Sequence, residues 1–174
     1  MNQRQDEITY RIEPLVARHS RAAFSCGVEA LDAYLQKQAG QDVSKHVAAA
    51  FVITPNGVTI AGFYTLSAHI VNLGDLPDHI AKKLPRYPNV PATLLGRLAV
   101  SQDFRGQGLG ELLLLDALKR VLGSIREVAS AVVVVDAKDE RAREFYVRHD
   151  FMPLPLRPNR LFYPVRTIAK LFSS

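Results

Sequence analysis

A chain of 174 residues, 48% hydrophobic and 22% charged, has the size of one domain, residues 1–174, and a composition that excludes disordered and collagenous classes. Its 22 Lys and Arg against 17 Asp and Glu leave a formal charge of +5, which permits an anionic partner such as RNA without demonstrating one. A single cysteine, Cys26, excludes an internal disulfide. Met1–Tyr10 lacks the apolar core of a signal peptide, and the longest apolar run, Val47–Ile53, falls far short of the roughly 20 residues that span a bilayer. The expectation is a cytoplasmic domain with no membrane contact.

The elements read in chain order as mixed α and β. Ile8–Ile12 alternates like a short strand. Val28, Leu31, Leu35 and Ala39 recur at helical spacing, with Ser25 as N-cap and Gly40 as stop. Strand-like His46–Thr54 and Val58–Ala68 flank Pro55-Asn56-Gly57, a hairpin signal. The proline-dense stretch Pro77–Pro91 reads as a loop or short helix, placed as an insertion over a site; its Lys82, Lys83 and Arg86 form either a solvated basic turn or an anion contact. Thr93–Val100 is again strand-like, and Leu109–Leu122 is a leucine-rich helix. Ala131–Val135 has the unbroken apolar character of a buried central strand. Ala142, Phe145, Tyr146 and His149 share one helical face. Arg160–Tyr163 closes as a strand, and Val165–Phe172 reads as a helix begun by Pro164. The order specifies an α+β sheet rather than a helix bundle.

The most informative stretch is Leu98-Ala99-Val100-Ser101-Gln102-Asp103-Phe104-Arg105-Gly106-Gln107-Gly108-Leu109-Gly110. A strand runs into a glycine-rich turn that opens a long helix. The glycines let a ligand approach the main chain closely, and the first helical turn presents N–H groups without internal acceptors under a partial positive charge. Such a turn suits a phosphate or diphosphate, with Arg105 adding charge at the mouth. The G-x-G-x-G spacing is neither the dinucleotide fingerprint nor a triphosphate P-loop. Taken by itself, it fits a flexible turn that caps a helix better than a ligand site.

Arg105-x-x-Gly108-x-Gly110 after Arg97-Leu98-Ala99-Val100 resembles the coenzyme A diphosphate loop of the GCN5-related N-acetyltransferases (GNAT). Asp139-x-x-Ala142-x-x-x-Tyr146, ending in Asp150-Phe151, is similar to that family's helix after its fifth strand; Asp139 stands where Asn is frequent, and Asp150 where Gly is. Phe24–Leu35, Gly62–Ser67, Leu84-Pro85-Arg86-Tyr87-Pro88, Leu95–Val100 and Arg160–Ile168 extend the resemblance over nearly the whole chain, to the acetyltransferase toxins of type II toxin–antitoxin modules. The resemblance implies a GNAT fold, a central mixed, largely antiparallel sheet splayed at the coenzyme site and flanked by helices. It also implies acetyl transfer from acetyl-CoA to the α-amino group of aminoacyl-tRNA, blocking translation. A ribbon-helix-helix antitoxin that carries the complex onto operator DNA, and a homodimer, belong to the same implication.

On this reading the coenzyme contacts are Leu98, Ala99, Val100, Arg105, Gly106, Gln107, Gly108, Leu109, Gly110 and Asp139. Tyr146 is the general acid for the departing thiolate: a phenol of ordinary pKa about 10 holds its proton at neutral pH, although the same spacing also describes a core tyrosine. An α-amino group, with a pKa of about 7.7–8.0, has a neutral fraction without a dedicated base. Lys37, Lys82, Lys83, Arg86 and Arg97, with Lys45, are candidate tRNA contacts. The five histidines and one cysteine lack metal-ligand spacing, so no metal is expected. Two other functions fit the same turn: acetylation of a small amine or protein N-terminus, and a non-catalytic acyl-CoA-binding module.

Overall fold

The structure, a computed structural model, describes residues 8–173; most of the Met1–Tyr10 stretch read for a leader lies outside the described residues. Seven strands form one mixed sheet in the order β1-β2-β3-β4-β5-β7-β6. They are β1 (Arg11–Pro14), β2 (Ala49–Thr54), β3 (Gly62–Asn72), β4 (Asn89–Val100), β5 (Val132–Asp136), β6 (Met152–Leu154) and β7 (Arg157–Pro164), with helices α1 (Glu29–Lys37), α2 (Ala39–Ser44), α3 (Asp78–Ala81), α4 (Leu109–Ser124), α5 (Glu140–Arg148) and α6 (Val165–Leu171). The chain divides into two compact units, Met1–Thr65 with Arg97–Asp116, and Leu66–Gly96 with Ala117–Ser174. Among the described residues no helix is long and apolar enough to cross a membrane.

In the first unit β1 pairs antiparallel with β2, Arg11 opposite Thr54 and Pro14 opposite Phe51. Beneath lie Leu35, Ala39, Val52, Phe63 and Phe24, all buried, with the Phe24 ring edge-on to Phe63. The strand anticipated from Ile8 begins at Arg11. Ser25 is not the helix cap: Val28 holds that position without a side-chain bond, and the Ser25 carbonyl instead accepts from Gln102 N–H. Gly40 does not stop the helix but lies within α2, where a Cβ would meet the Arg21 guanidinium.

The anticipated second hairpin strand starts at Gly62, not Val58. Asn56 Oδ1 accepts from Val58 N–H (2.9 Å) and Thr59 N–H (2.8 Å), an Asx turn that curls the chain. Thr59 then bridges to Ser20 rather than to β2. At Gly62 the backbone approaches β4 so closely that a Cβ would lie 2.8 Å from the Ala99 carbonyl oxygen.

In the second unit β5 runs parallel to β4, from Ala92 opposite Val132 to Leu95 opposite Val135, while β4 itself continues to Val100. All four valines of β5 are buried, as a strand covered on both faces requires. β7 pairs antiparallel with β5 and with the three-residue β6, a strand too short to leave a period in the sequence. Pro164 takes the N-cap position of α6.

Candidate active site

The first unit holds the glycine turn. Val100 ends β4, and Ser101 N–H donates to the Ala61 carbonyl (2.8 Å) while Gln102 N–H donates to Ser25 O (2.8 Å). A single 3₁₀ turn, Gln102–Phe104, then leads to Gly106 at φ +80° and Gly108 at φ +73°. Both lie in the left-handed region that glycine enters without the Cβ penalty. A Cβ built at either position meets no heavy atom within 4 Å. The main chain is therefore open on that side at both glycines.

α4 begins at once. Leu109 is buried as its anchor, and Leu112 N–H to Gly108 O (3.2 Å) closes the first helical turn. Gly110, grouped with the loop on sequence grounds, lies inside this helix. The N–H groups of residues 109–111 lack intrahelical acceptors by the geometry of a helix start, so donors and dipole converge at the start of α4, an arrangement that suits an anion.

Arg105 is exposed but anchored. Its Nη2 donates to the Cys26 carbonyl (2.6 Å), tying the chain before α1 to the turn, and Gly27 packs beneath it at φ +85°. Gln107 is also held: its Oε1 accepts from the Tyr10 hydroxyl (2.6 Å), and the Tyr10 ring meets Phe104 edge-on at 6.3 Å. Tyr10 was not anticipated from the sequence, since nothing local marks a partner at that separation. Of the other proposed coenzyme contacts, Ala99 is buried in the core, and Leu98 and Val100 are half-buried on β4.

The second unit holds Tyr146. Asp139 caps α5, its Oδ1 accepting from Ala142 N–H (2.8 Å), so the acid in place of Asn still performs a cap. Tyr146 faces inward at 7% exposure, between Phe145 (5.2 Å) and Phe151 (5.4 Å), both edge-on. Burial alone pushes its phenol pKa well above the ordinary value, because the phenolate would lose its hydration. Asp150 adopts φ +70°, which explains why a glycine would suit the position, and Phe151 N–H closes the turn onto Tyr146 O (3.1 Å).

The basic candidates divide between the units. Lys37 is exposed in the last turn of α1, where a cation complements the helix dipole. Arg97 stacks on Tyr34, its Cζ 3.5 Å from the ring centroid. The Tyr34 hydroxyl donates to Asp42 Oδ2 (2.9 Å) and is pushed up to about 12 by burial and by that bond. In the second unit Lys82, Lys83 and Arg86 are exposed together after α3.

Another constellation in the second unit escaped the sequence reading. Arg160 clamps Asp136 at the end of β5 through two bonds of 2.7 and 2.9 Å and donates from Nη1 to His69 Nε2 (3.1 Å). Burial first, then the Arg160 charge, holds His69 below its usual pKa. Asp136 and Arg160 line a surface pocket of about 320 Å³ with Arg157 and Asn159. Among the described residues no group of His, Cys, Asp and Glu is arranged to hold a metal ion.

Comparison with known proteins agrees with this geometry. Residues 48–153 match the family model described as an acetyltransferase (GNAT) domain. A probable toxin TacT from Sinorhizobium fredii is 34% identical over 92% of this chain and 93% of its own length. A tRNA-acetylating toxin from Mycobacterium tuberculosis is 35% identical over 80% of this chain and 82% of its own. The solved structure of AtaT complexed with acetyl-methionyl-tRNAfMet superposes with a TM-score of 0.88 at 31% identity, covering 95% of this chain and all of that one. A bare glycine turn opening α4 and matches of this extent converge on one conclusion: the chain belongs to the GNAT acetyltransferase family, whose members take acetyl-CoA as acyl donor.

Proposed function

We propose that this chain transfers acetyl from acetyl-CoA to the α-amino group of aminoacyl-tRNA and so blocks translation. The observation that carries the reading is the exposed left-handed main chain at Gly106 and Gly108 running into α4, in a chain that is similar along nearly its full length to AtaT bound to an acetylated aminoacyl-tRNA. The family model runs through residues of both compact units, which supports their acting as one catalytic domain.

In this proposal the main-chain groups of Leu98, Ala99 and Val100 bind the pantetheine arm, and residues 105–110 bind the diphosphate. Asp139 borders the coenzyme from the start of α5. Acetyl-CoA supplies a thioester-activated acetyl group. The α-amine attacks in its neutral form, the new N–C bond replaces the C–S bond, Tyr146 gives its phenolic proton to the departing sulfur, and the proton that the nitrogen sheds on becoming an amide passes to solvent, from which the phenolate is reprotonated. A phenol whose ionised form is disfavoured by burial stays protonated until that moment. Lys37, Lys82, Lys83, Arg86 and Arg97 supply charge for the RNA backbone.

The same reading includes a cytoplasmic homodimer, neutralised by a ribbon-helix-helix antitoxin that places the complex on operator DNA. Support comes from AtaT solved with the C-terminus of its antitoxin AtaR and from a KacTA–DNA complex. The test is incubation of total charged tRNA with labelled acetyl-CoA, followed by identification of the modified amino acid. Label on an aminoacyl ester is expected; label confined to free amines or protein would overturn the assignment. Because several phosphates are to be contacted, binding should weaken steeply with salt.

A further inference from the structure

The segment between α3 and β4 leaves a large aromatic ring in water. Tyr87 is 70% exposed, and Lys82, Lys83 and Arg86 beside it are exposed as well. Among the described residues none of the four side chains makes a hydrogen bond or ion pair. The nearby acids are Asp78, in the first turn of α3, and Asp75, in the 3₁₀ turn that precedes it.

This projection is built into the chain. Ile80 and Leu84 pack inward against a core of Val71, Leu76 and Val90. Lys83 N–H to Ile80 O and Leu84 N–H to Ala81 O (both 3.1 Å) continue α3 as a tight turn, Tyr87 N–H bonds Pro85 O (2.9 Å), and Leu73 N–H reaches Pro88 O (3.0 Å). Prolines on both sides of Arg86-Tyr87 restrict the backbone further. The backbone on either side of the ring is thus held before any partner arrives, and a tyrosine side chain has few torsions left to order on binding.

We infer that Tyr87 is a stacking platform for an unpaired base, and that with Lys82, Lys83 and Arg86 it forms a binding site for single-stranded RNA, the unpaired 3′ end of a tRNA. An isolated surface tyrosine calls for no explanation. An exposed ring following three exposed cations in one segment has the two components single-strand binders combine, a π-face for bases and positive charge for the backbone between them. Duplex RNA would offer only its phosphates and sugar edges to such a ring. The inference rests on the proposed action on aminoacyl-tRNA and adds to it the site that takes the acceptor end.

The experiment uses the full chain and two RNA probes of equal phosphate number: a single strand with the sequence of a tRNA 3′ end, and a blunt duplex. Wild type is expected to prefer the single strand. Tyr87→Ala should weaken single-strand binding by roughly 5- to 150-fold and leave duplex binding unchanged, Tyr87→Phe should retain the preference, and Lys83→Ala should weaken both probes alike. Unchanged single-strand binding by Tyr87→Ala overturns the inference, as does loss of affinity for both probes. Acetylation of charged tRNA is measured alongside. Wild type that acetylates, with Tyr87→Ala at unaltered KM, refutes the stacking site alone; wild type that cannot acetylate charged tRNA refutes the functional reading itself.

Discussion

The Tyr10 hydroxyl donates to Gln107 Oε1 across 2.6 Å, joining two residues 97 positions apart. The bond selects one orientation of the Gln107 carboxamide and leaves its Nε2 group as the remaining donor. With the Tyr10 ring against Phe104, the segment before β1 braces the glycine turn from outside. Tyr10→Phe keeps the ring and removes the bond. The KM for acetyl-CoA should rise about two- to fourfold, the low end expected of an exposed hydrogen bond, with kcat unchanged. Steady-state kinetics at saturating acceptor separate the two constants.

Glycine has opposite consequences at two places in the same stretch. At Gly108 the backbone is left-handed, so Gly108→Ala should cost about 1–2 kcal/mol in holding the turn and weaken acetyl-CoA binding by roughly 5- to 30-fold. At Gly123, near the end of α4, a Cβ meets nothing and no such φ arises. Gly123→Ala should therefore raise stability by about 0.4–1 kcal/mol. Calorimetric titration checks the first, and urea denaturation the second.

Tyr146→Phe should lower turnover by roughly 10²–10⁴-fold, the usual range for a lost general acid, while the thermal midpoint holds. Because burial raises the phenol pKa, its proton is not lost anywhere in the neutral range. The rate should therefore climb as the acceptor amine deprotonates, with its midpoint near the ordinary amine value of about 7.7–8.0, and show no descending limb up to about pH 9. A bell with a descending limb below pH 9 would assign the proton to another group.

Glu13 should contribute to the acid sensitivity of the fold. His19 is buried, and Val16 N–H donates to its Nδ1 (3.0 Å), so Nε2 carries the proton and donates to Glu13 Oε1 (2.7 Å). Arg18 and Arg11 bind the same carboxylate at 2.6 and 3.0 Å. These partners, the His19 bond first among them, lower the Glu13 pKa below its reference value of 4.5. The folded state thus favours the ionised form, so its contribution is present above pH 4.5 and is lost as pH falls through the depressed value. Glu13→Gln should flatten the dependence of the melting temperature on pH below about 4.5 and leave its slope near neutrality alone.

Elements with an unbroken periodic or apolar signature were legible in the sequence: α4 from its leucines, β5 from its valines, α5 from the face shared by Phe145 and Tyr146. The glycine turn was legible because its function is local, a strand end, a backbone reversal and a helix start within a dozen residues. What escaped depends on partners distant in the chain. Ser25 looked like a cap until its carbonyl was claimed by Gln102, and the Arg105 bond to Cys26 O joins residues 79 positions apart. Tyr10 and the Arg160–Asp136–His69 set have no local pattern at all, since tertiary packing alone brings each side chain to its partner. The Pro55-Asn56-Gly57 turn was recognised but given the wrong span, because the Asn56 side chain competed with the ladder for Val58 and Thr59.

The crowding at Gly62 reaches further than its own strand. With only 2.8 Å between a would-be methyl carbon and the Ala99 oxygen, an alanine there would act as a wedge against the last residues of β4, which lead directly into the bend proposed to hold the nucleotide. A genetic screen for mutants that no longer retain acetyl-CoA would accordingly recover position 62 beside position 108, although no atom of Gly62 need ever touch the cosubstrate.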